Sequence, residues 1–239
     1  MTQVESQLKE LRLQGMSASW QALVETRGHH ELSFTEGLEL LLQAEIQQRT
    51  NNRFERLRKN ARFRYQSSVE EINYDTSRGL DKSHISELIT GEYIDKGESI
   101  LITGSTGCGK SFLASALGHH ACAQGFKVAY FNIQKLLIKT KMARIDGSIH
   151  KLFEQISKNN LLILDDFGLI HLEKQQQMDL MEIIEDRHAR NATIIASQLP
   201  VSNWYNIIGE ETIADAILDR LVHTSHRIEL KGDSLRKKM

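Results

Sequence analysis

Proline occurs once and cysteine twice in the 239 residues of this chain, and each scarcity excludes something. One proline rules out long, extended proline-rich linkers. Cys108 and Cys122 cannot build a four-cysteine zinc site and are expected to be free thiols in an intracellular protein. Apolar runs stop at four or five residues, as in Leu161-Leu162-Ile163-Leu164, far below the ~18 that cross a bilayer. No membrane contact is therefore expected. The amino terminus, Met1-Thr2-Gln3-Val4-Glu5, lacks the basic and apolar stretches of a secretory signal, so a cytoplasmic location is expected. Net charge is close to nil at -1, yet hydrophobic residues at 40% and charged residues at 26% match globular averages and exclude wholesale disorder. The length suits one or two domains with a buried core.

The small net charge hides an asymmetry. Residues 1 to 48 carry three basic against seven acidic side chains, a balance of -4. Between Arg49 and Tyr65 the balance reverses to +6, with Arg49, Arg53, Arg56, Arg58, Lys59, Arg62 and Arg64 against Glu55. A capping box over Ser33 to Glu36 starts a helix expected to run from 34 to 62, with Leu38, Leu41, Leu42, Ile46, Phe54 and Leu57 along one side. Helices over 3 to 13 and around Trp20, Leu23 and Val24 complete a weakly cored, all-helical unit. Turn formers between 66 and 79 mark a connector, giving domains 1–68 and 69–239. Beyond it, β-rich runs at 99–103, 127–132, 161–165, 193–197 and 226–230 alternate with helical segments, the pattern of a parallel sheet between helices.

The chemistry begins at Gly104-Ser105-Thr106-Gly107-Cys108-Gly109-Lys110-Ser111, which fits G-x-x-x-x-G-K-[ST] between a strand and the helix opening at Phe112. Its glycines let the backbone wrap phosphates, and the helix aims its positive end at them. Lys110 is expected on the β- and γ-phosphates and Ser111 on Mg2+. Cys108 occupies a variable position and needs only to be small. Leu161 to Asp166 supplies four apolar residues and two carboxylates, a Walker B pattern. Asp165 would hold the metal and Asp166 would orient or deprotonate the attacking water, unless Asp166 is simply a turn residue.

The order of these motifs, together with Ile213-Ala214-Asp215-Ala216-Ile217-Leu218-Asp219-Arg220-Leu221-Val222-His223 and the tail from Glu229 to Arg236, resembles the IstB-type transposition helper ATPases of bacterial insertion sequences. These are relatives of the DnaC helicase loaders and DnaA initiators, and the likeness spans nearly the whole chain. It implies an α/β fold: an AAA+ P-loop NTPase core with a five-stranded parallel sheet and a small all-α N-terminal domain. Only 19 residues follow Arg220, too few for a full C-terminal lid, and Arg227 or Arg236 is then the candidate replacement for a lid arginine. The likeness also implies ATP and Mg2+ as cofactors, an ATP-dependent homo-oligomeric ring or spiral, duplex DNA, and a transposase encoded by the same element. Gln198 or Ser197 resembles a sensor at the end of a strand beside Walker B, and Arg220 resembles a finger reaching a neighbouring subunit's ATP. Aspartate at 166, where many AAA+ ATPases have glutamate, implies slow turnover.

Two segments are DNA candidates. Arg53, Arg56 and Arg58 lie in the basic block, which would equally serve as a solvated helix face or an intersubunit surface. Lys135, Lys139, Lys141 and Arg144 follow the second strand, where initiator-type relatives carry a DNA-tracking insertion. His29-His30 and His119-His120 are adjacent pairs without a third ligand and are expected to be ordinary histidines. The nearest rival reading is a DnaC-like helicase loader; a nucleotide-gated DNA scaffold with negligible hydrolysis is another. A metabolic kinase is disfavoured, because no acceptor-binding segment is recognisable.

Overall fold

The computed structural model describes residues 3–232 and 234. The chain divides into two compact units, Met1–Arg56 and Leu57–Met239. In the first lie α1 (Gln3–Glu10), α2 (Gln14–Glu25) and most of α3 (Phe34–Ala61). The capping box forms as its residues dictate: Ser33 N–H donates to Glu36 Oε2 at 2.8 Å, and Glu36 N–H donates to Ser33 Oγ at 3.3 Å. Gly15 abuts the α3 backbone, where a β-carbon would collide with the Ala44 carbonyl oxygen. The approach lets the buried Glu45 carboxylate accept from the Gly15 and Met16 N–H groups at 2.8 and 3.2 Å, ending the first turn of α2. Arg49 donates to the same carboxylate at 2.7 Å and, with those amides, holds its pKa below the usual range. The apolar side of α3 is fully buried only near its end, with Leu41 and Phe54 half-buried. Leu57 and Ala61 are buried, whereas Phe34, Leu38, Leu42 and Ile46 are exposed, since two short helices cannot cover a 28-residue partner.

In the second unit the elements run α4 (Lys82–Ile89), α5 (Glu92–Asp95), β1 (Ser99–Gly104), α6 (Lys110–Ala123), β2 (Val128–Asn132), α7 (Ile133–Ile145), α8 (Ile149–Ser157), β3 (Leu161–Phe167), α9 (Lys174–Arg187), β4 (Ala192–Ser197), α10 (Trp204–Ile208), α11 (Glu211–Val222) and β5 (Ser225–Leu230). The five strands are all parallel in the order β2-β3-β4-β1-β5, with Leu101 of β1 opposite Ile195 of β4 and Arg227 of β5. Both faces of a parallel sheet must be covered, so its inner strands read as unbroken apolar runs. Leu101, Leu162, Leu164 and Ile195 pack into one core with Leu136 of α7, Leu180 of α9, Trp204 of α10 and Ile217 of α11. The alternate residue Ile163 points to the other face, beside Gly118 of α6. The five-stranded sheet with helices on both sides is the expected AAA+ fold, and its strands fall within a residue or two of the expected runs.

Among the described residues, Arg187 is the most deeply buried cation. Arg187, 1% exposed, donates from its terminal nitrogens to the carbonyls of Ile156 (3.1 Å), Asn159 (2.8 Å) and Ala192 (2.5 Å), and from Nε to Thr193 Oγ1 (3.2 Å). It ties the end of α8, with its negative dipole end, to the start of β4. Burial pushes its pKa down to about 9.

Candidate functional site

Parallel strands put all their carboxyl ends at one edge, and the open edge of such a sheet is where ligands bind. Here that edge gathers the P-loop after β1, Asn132 at the end of β2, Asp165 and Asp166 near the end of β3, and Ser197 and Gln198 at the end of β4. The three P-loop glycines adopt left-handed or otherwise positive φ, 146° at Gly104, 85° at Gly107 and 100° at Gly109. A side chain at Gly104 would also strike the Leu230 carbonyl. Gly109 leads directly into α6, whose free N–H groups open onto the loop. Lys110 folds back into the loop, donating from Nζ to the Gly104 and Ser105 carbonyls at 2.7 and 2.8 Å. Cys108 is buried against it, its Sγ 3.9 Å from Nζ. Cys122 lies in the core, and burial pushes its thiol up to about 12.

Ser111 Oγ donates to Asp165 Oδ1 at 2.9 Å, bringing together the two groups expected to hold a metal. A hydroxyl and a buried carboxylate are the hard oxygen donors that suit Mg2+. Tyr130 donates its phenol proton to Asp165 Oδ2, and burial, followed by this bond, raises the phenol's pKa. Asp166 occupies a left-handed backbone conformation, φ 60°, at a register shift between β3 and β4. Such a bulge re-aims a side chain, and such strain in a non-glycine residue concentrates at functional sites. Its Oδ2 accepts from Asn132 Nδ2 at 2.8 Å and from Arg64 at 3.0 Å.

Gln198 Oε1 accepts from Thr106 Oγ1 at 2.7 Å, which joins the β4 strand end to the P-loop. Ser197 instead donates to the Phe167 carbonyl at 2.8 Å and accepts from the Leu199 N–H, a strand-end brace. Thr106 and Gln198 border a cavity of about 740 Å³, lined also by Arg64, Lys110, Ser111, Asp166, Ile72 and Phe112, within the size range of small-molecule sites. Burial lowers the Arg64 pKa, but nearby Tyr65, Asp166 and Asp165 outweigh it, so the net shift is upward.

Sequence reasoning did not single out Arg64, Tyr130 or Asn132. Tyr130 and Asn132 sit on the strand next to Walker B, so the order of the sheet was the signal that could have found them.

The remaining candidates lie elsewhere. Arg220, on α11, donates to the Ala216 carbonyl at 2.8 Å and forms an ion pair with Glu185 of α9. It does not line the cavity. Arg227 is exposed on β5 and borders a different groove, with Asp215 and Asp219; Arg236 lies outside the described residues. On α7, Lys135, Lys139 and Lys141 are exposed, while Arg144 is engaged by the buried Asp179, its Nε 2.8 Å from Oδ1. Arg53 and Arg56 are exposed on α3 and Arg58 is partly buried. His119 donates to the Tyr65 carbonyl at 3.1 Å and stacks on Phe63.

The family model described as IstB-like ATP binding protein matches residues 6–239. An insertion sequence ATP-binding protein of Sinorhizobium fredii is 44% identical over 230 residues, covering 96% of this chain and 94% of that protein. The ATP-binding protein of insertion sequence IS1162 from Pseudomonas fluorescens is 42% identical over 82% of this chain and 86% of its own length. Among solved structures, the DnaC helicase loader superposes with a TM-score of 0.53 at 22% identity, covering 66% of this chain and 96% of that one. DnaI gives a TM-score of 0.59 at 18% identity, covering 73% and 94%. These two show a shared fold.

Proposed function

Because the chain belongs to the IstB-like ATP-binding family, we propose that it is an ATP-hydrolysing AAA+ regulator that assembles on duplex DNA and recruits and stimulates the transposase of its insertion sequence. The observation that carries the hydrolytic part is Asp166, held beside the linked Asp165 and Ser111 on a cavity that also contains Lys110 and Gln198. Loop amides and Lys110 bind the β- and γ-phosphates. Gln198, anchored on Thr106, orients the attacking water. Asp166 takes that water's proton as its oxygen bonds to the γ-phosphorus; the bond to the bridging oxygen breaks and its electron pair leaves with ADP. Ser111 and Asp165 would hold Mg2+, which supplies charge neutralisation at the phosphate oxygens.

DNA binding draws support from α7, whose outer face interleaves Lys135, Lys139 and Lys141 with exposed Ile138, Met142 and Ile145. The segment 1–68 contributes to oligomerisation or to DNA contact through Arg53, Arg56 and Arg58. Arg220 acts on the ATP of an adjacent subunit, in keeping with its place outside its own cavity. The test is ATP turnover by the purified protein with and without duplex DNA and the transposase of the same element. Hydrolysis stimulated by DNA and abolished in Lys110→Ala supports the reading; turnover unaffected by either change contradicts it.

A further inference from the structure

Arg64 lines the phosphate end of the cavity, and the hydrolytic scheme leaves it unused. The other arginine lining it, Arg78, is engaged by the Cys108 carbonyl at 2.6 Å. Arg64 lies over both Walker B carboxylates, 3.0 Å from Asp166 Oδ2 and 3.5 Å from Asp165 Oδ2. Its backbone is pinned on both sides. Phe63 stacks on His119 with ring centres 4.2 Å apart and fills the notch left by Gly118, where a β-carbon would meet its ring. On the other side, the Tyr65 carbonyl accepts from His119 and Ser67 Oγ donates to the Phe112 carbonyl at 3.2 Å. Residues 63–67 are thereby fastened to α6, the helix that carries Lys110 and Ser111. The guanidinium is delivered by the scaffold, not by a free surface chain.

Its side chain is 42% exposed, and an ion pair that open to water holds its partners weakly. A terminal phosphate is a stronger attraction, because it spreads about two negative charges over three oxygens, two of which a guanidinium can grip at once. Formal charge points the same way: Arg64 and Lys110 together offset Asp165 and Asp166, so an incoming triphosphate adds negative charge that Arg64 is placed to meet. Among the described residues, α11 sends no arginine into the cavity and Arg227 of β5 borders another groove.

We propose that Arg64 reads the γ-phosphate in cis, binding its oxygens beside Asp166 and so distinguishing ATP from ADP. The inference rests on the ATP-site reading above. The test compares dissociation constants for ATP and ADP with Mg2+, by displacement of a fluorescent nucleotide, in wild type, Arg64→Ala, Arg64→Lys and Lys110→Ala. Arg64→Ala is expected to weaken ATP by about tenfold while changing ADP by less than about twofold, with partial recovery in Arg64→Lys, because one charge-assisted contact to the third phosphate is lost. Equal losses for both nucleotides, or none for either, overturn the proposal. If the alanine variant melts early, the ATP-to-ADP ratio still decides, since partial unfolding lowers both affinities alike. Lys110→Ala should lose both nucleotides; if it does and Arg64→Ala changes nothing, Arg64 alone is misassigned. Normal ATP binding in Lys110→Ala overturns the site reading and this inference with it.

Discussion

Asp166 has a left-handed backbone, φ 60°, uncommon outside glycine, and two donors, Asn132 and Arg64, on a single carboxylate oxygen. An asparagine there keeps an acceptor for both donors and nearly the same volume, yet its amide cannot take a proton from water. Asp166→Asn is therefore expected to bind ATP within a few-fold of wild type and to lose turnover by about 10²–10⁴, the usual worth of a general base. Parallel single-turnover hydrolysis and nucleotide titration check this; equal loss in both would make Asp166 structural. At this scale the sequence disclosed what is local. The P-loop octet and the paired aspartates are contiguous, so their chemistry follows from spacing. Arg64 lies 102 positions from Asp166 in the chain, and it was legible only as one charge in a basic block.

At the scale of elements, Arg187 secures the end of α8 and the start of β4 through backbone carbonyls. Arg187→Ala removes the donor that these buried carbonyls and Thr193 Oγ1 share and is expected to destabilise the fold by about 3–5 kcal/mol, as loss of a buried polar network does. Urea unfolding measures it; a loss below about 1 kcal/mol would mean that water replaces the guanidinium. Nothing in the sequence marked this residue, because its partners are backbone carbonyls and one threonine hydroxyl drawn from two separate segments, the end of α8 and the start of β4.

Helix α7 makes a second prediction. Its buried face, Ile133, Leu136, Leu137, Thr140 and Ala143, sets which side chains face outward. Arg144 is held by Asp179 and Lys139 lies 5.6 Å from the centre of the Phe131 ring, which leaves the lysines as the phosphate candidates. Changing Lys139 and Lys141 to alanine should flatten the slope of log affinity against log salt by about two units and weaken all duplexes alike. An unchanged slope moves DNA contact to the basic block of α3. The capping box made the start of α3 readable, whereas its exposed apolar residues were misleading, since periodicity tells which side is apolar and not whether anything covers it.

For the whole molecule, one chain holds Lys110 in its own cavity and Arg220 outside it. If neighbouring subunits complete the site, Arg220→Ala and Lys110→Ala proteins, each inactive alone, should recover part of the ATPase rate when mixed. Co-assembly without recovery at any ratio contradicts action in trans. The parallel sheet and its layering were legible, because apolar runs alternating with helices point to a parallel sheet between helices, whereas the strand order was not read from the pattern. Assembly was not, since it depends on surfaces that hydrophobic periodicity does not distinguish.

The central claim is that ATP drives assembly on duplex DNA, and the mass distribution of single particles with ATP, with ADP and with neither tests it most directly, each with and without a duplex. The account predicts multi-subunit particles on DNA with ATP, their loss with ADP, and none in Lys110→Ala. The same distribution in all three nucleotide conditions would contradict it.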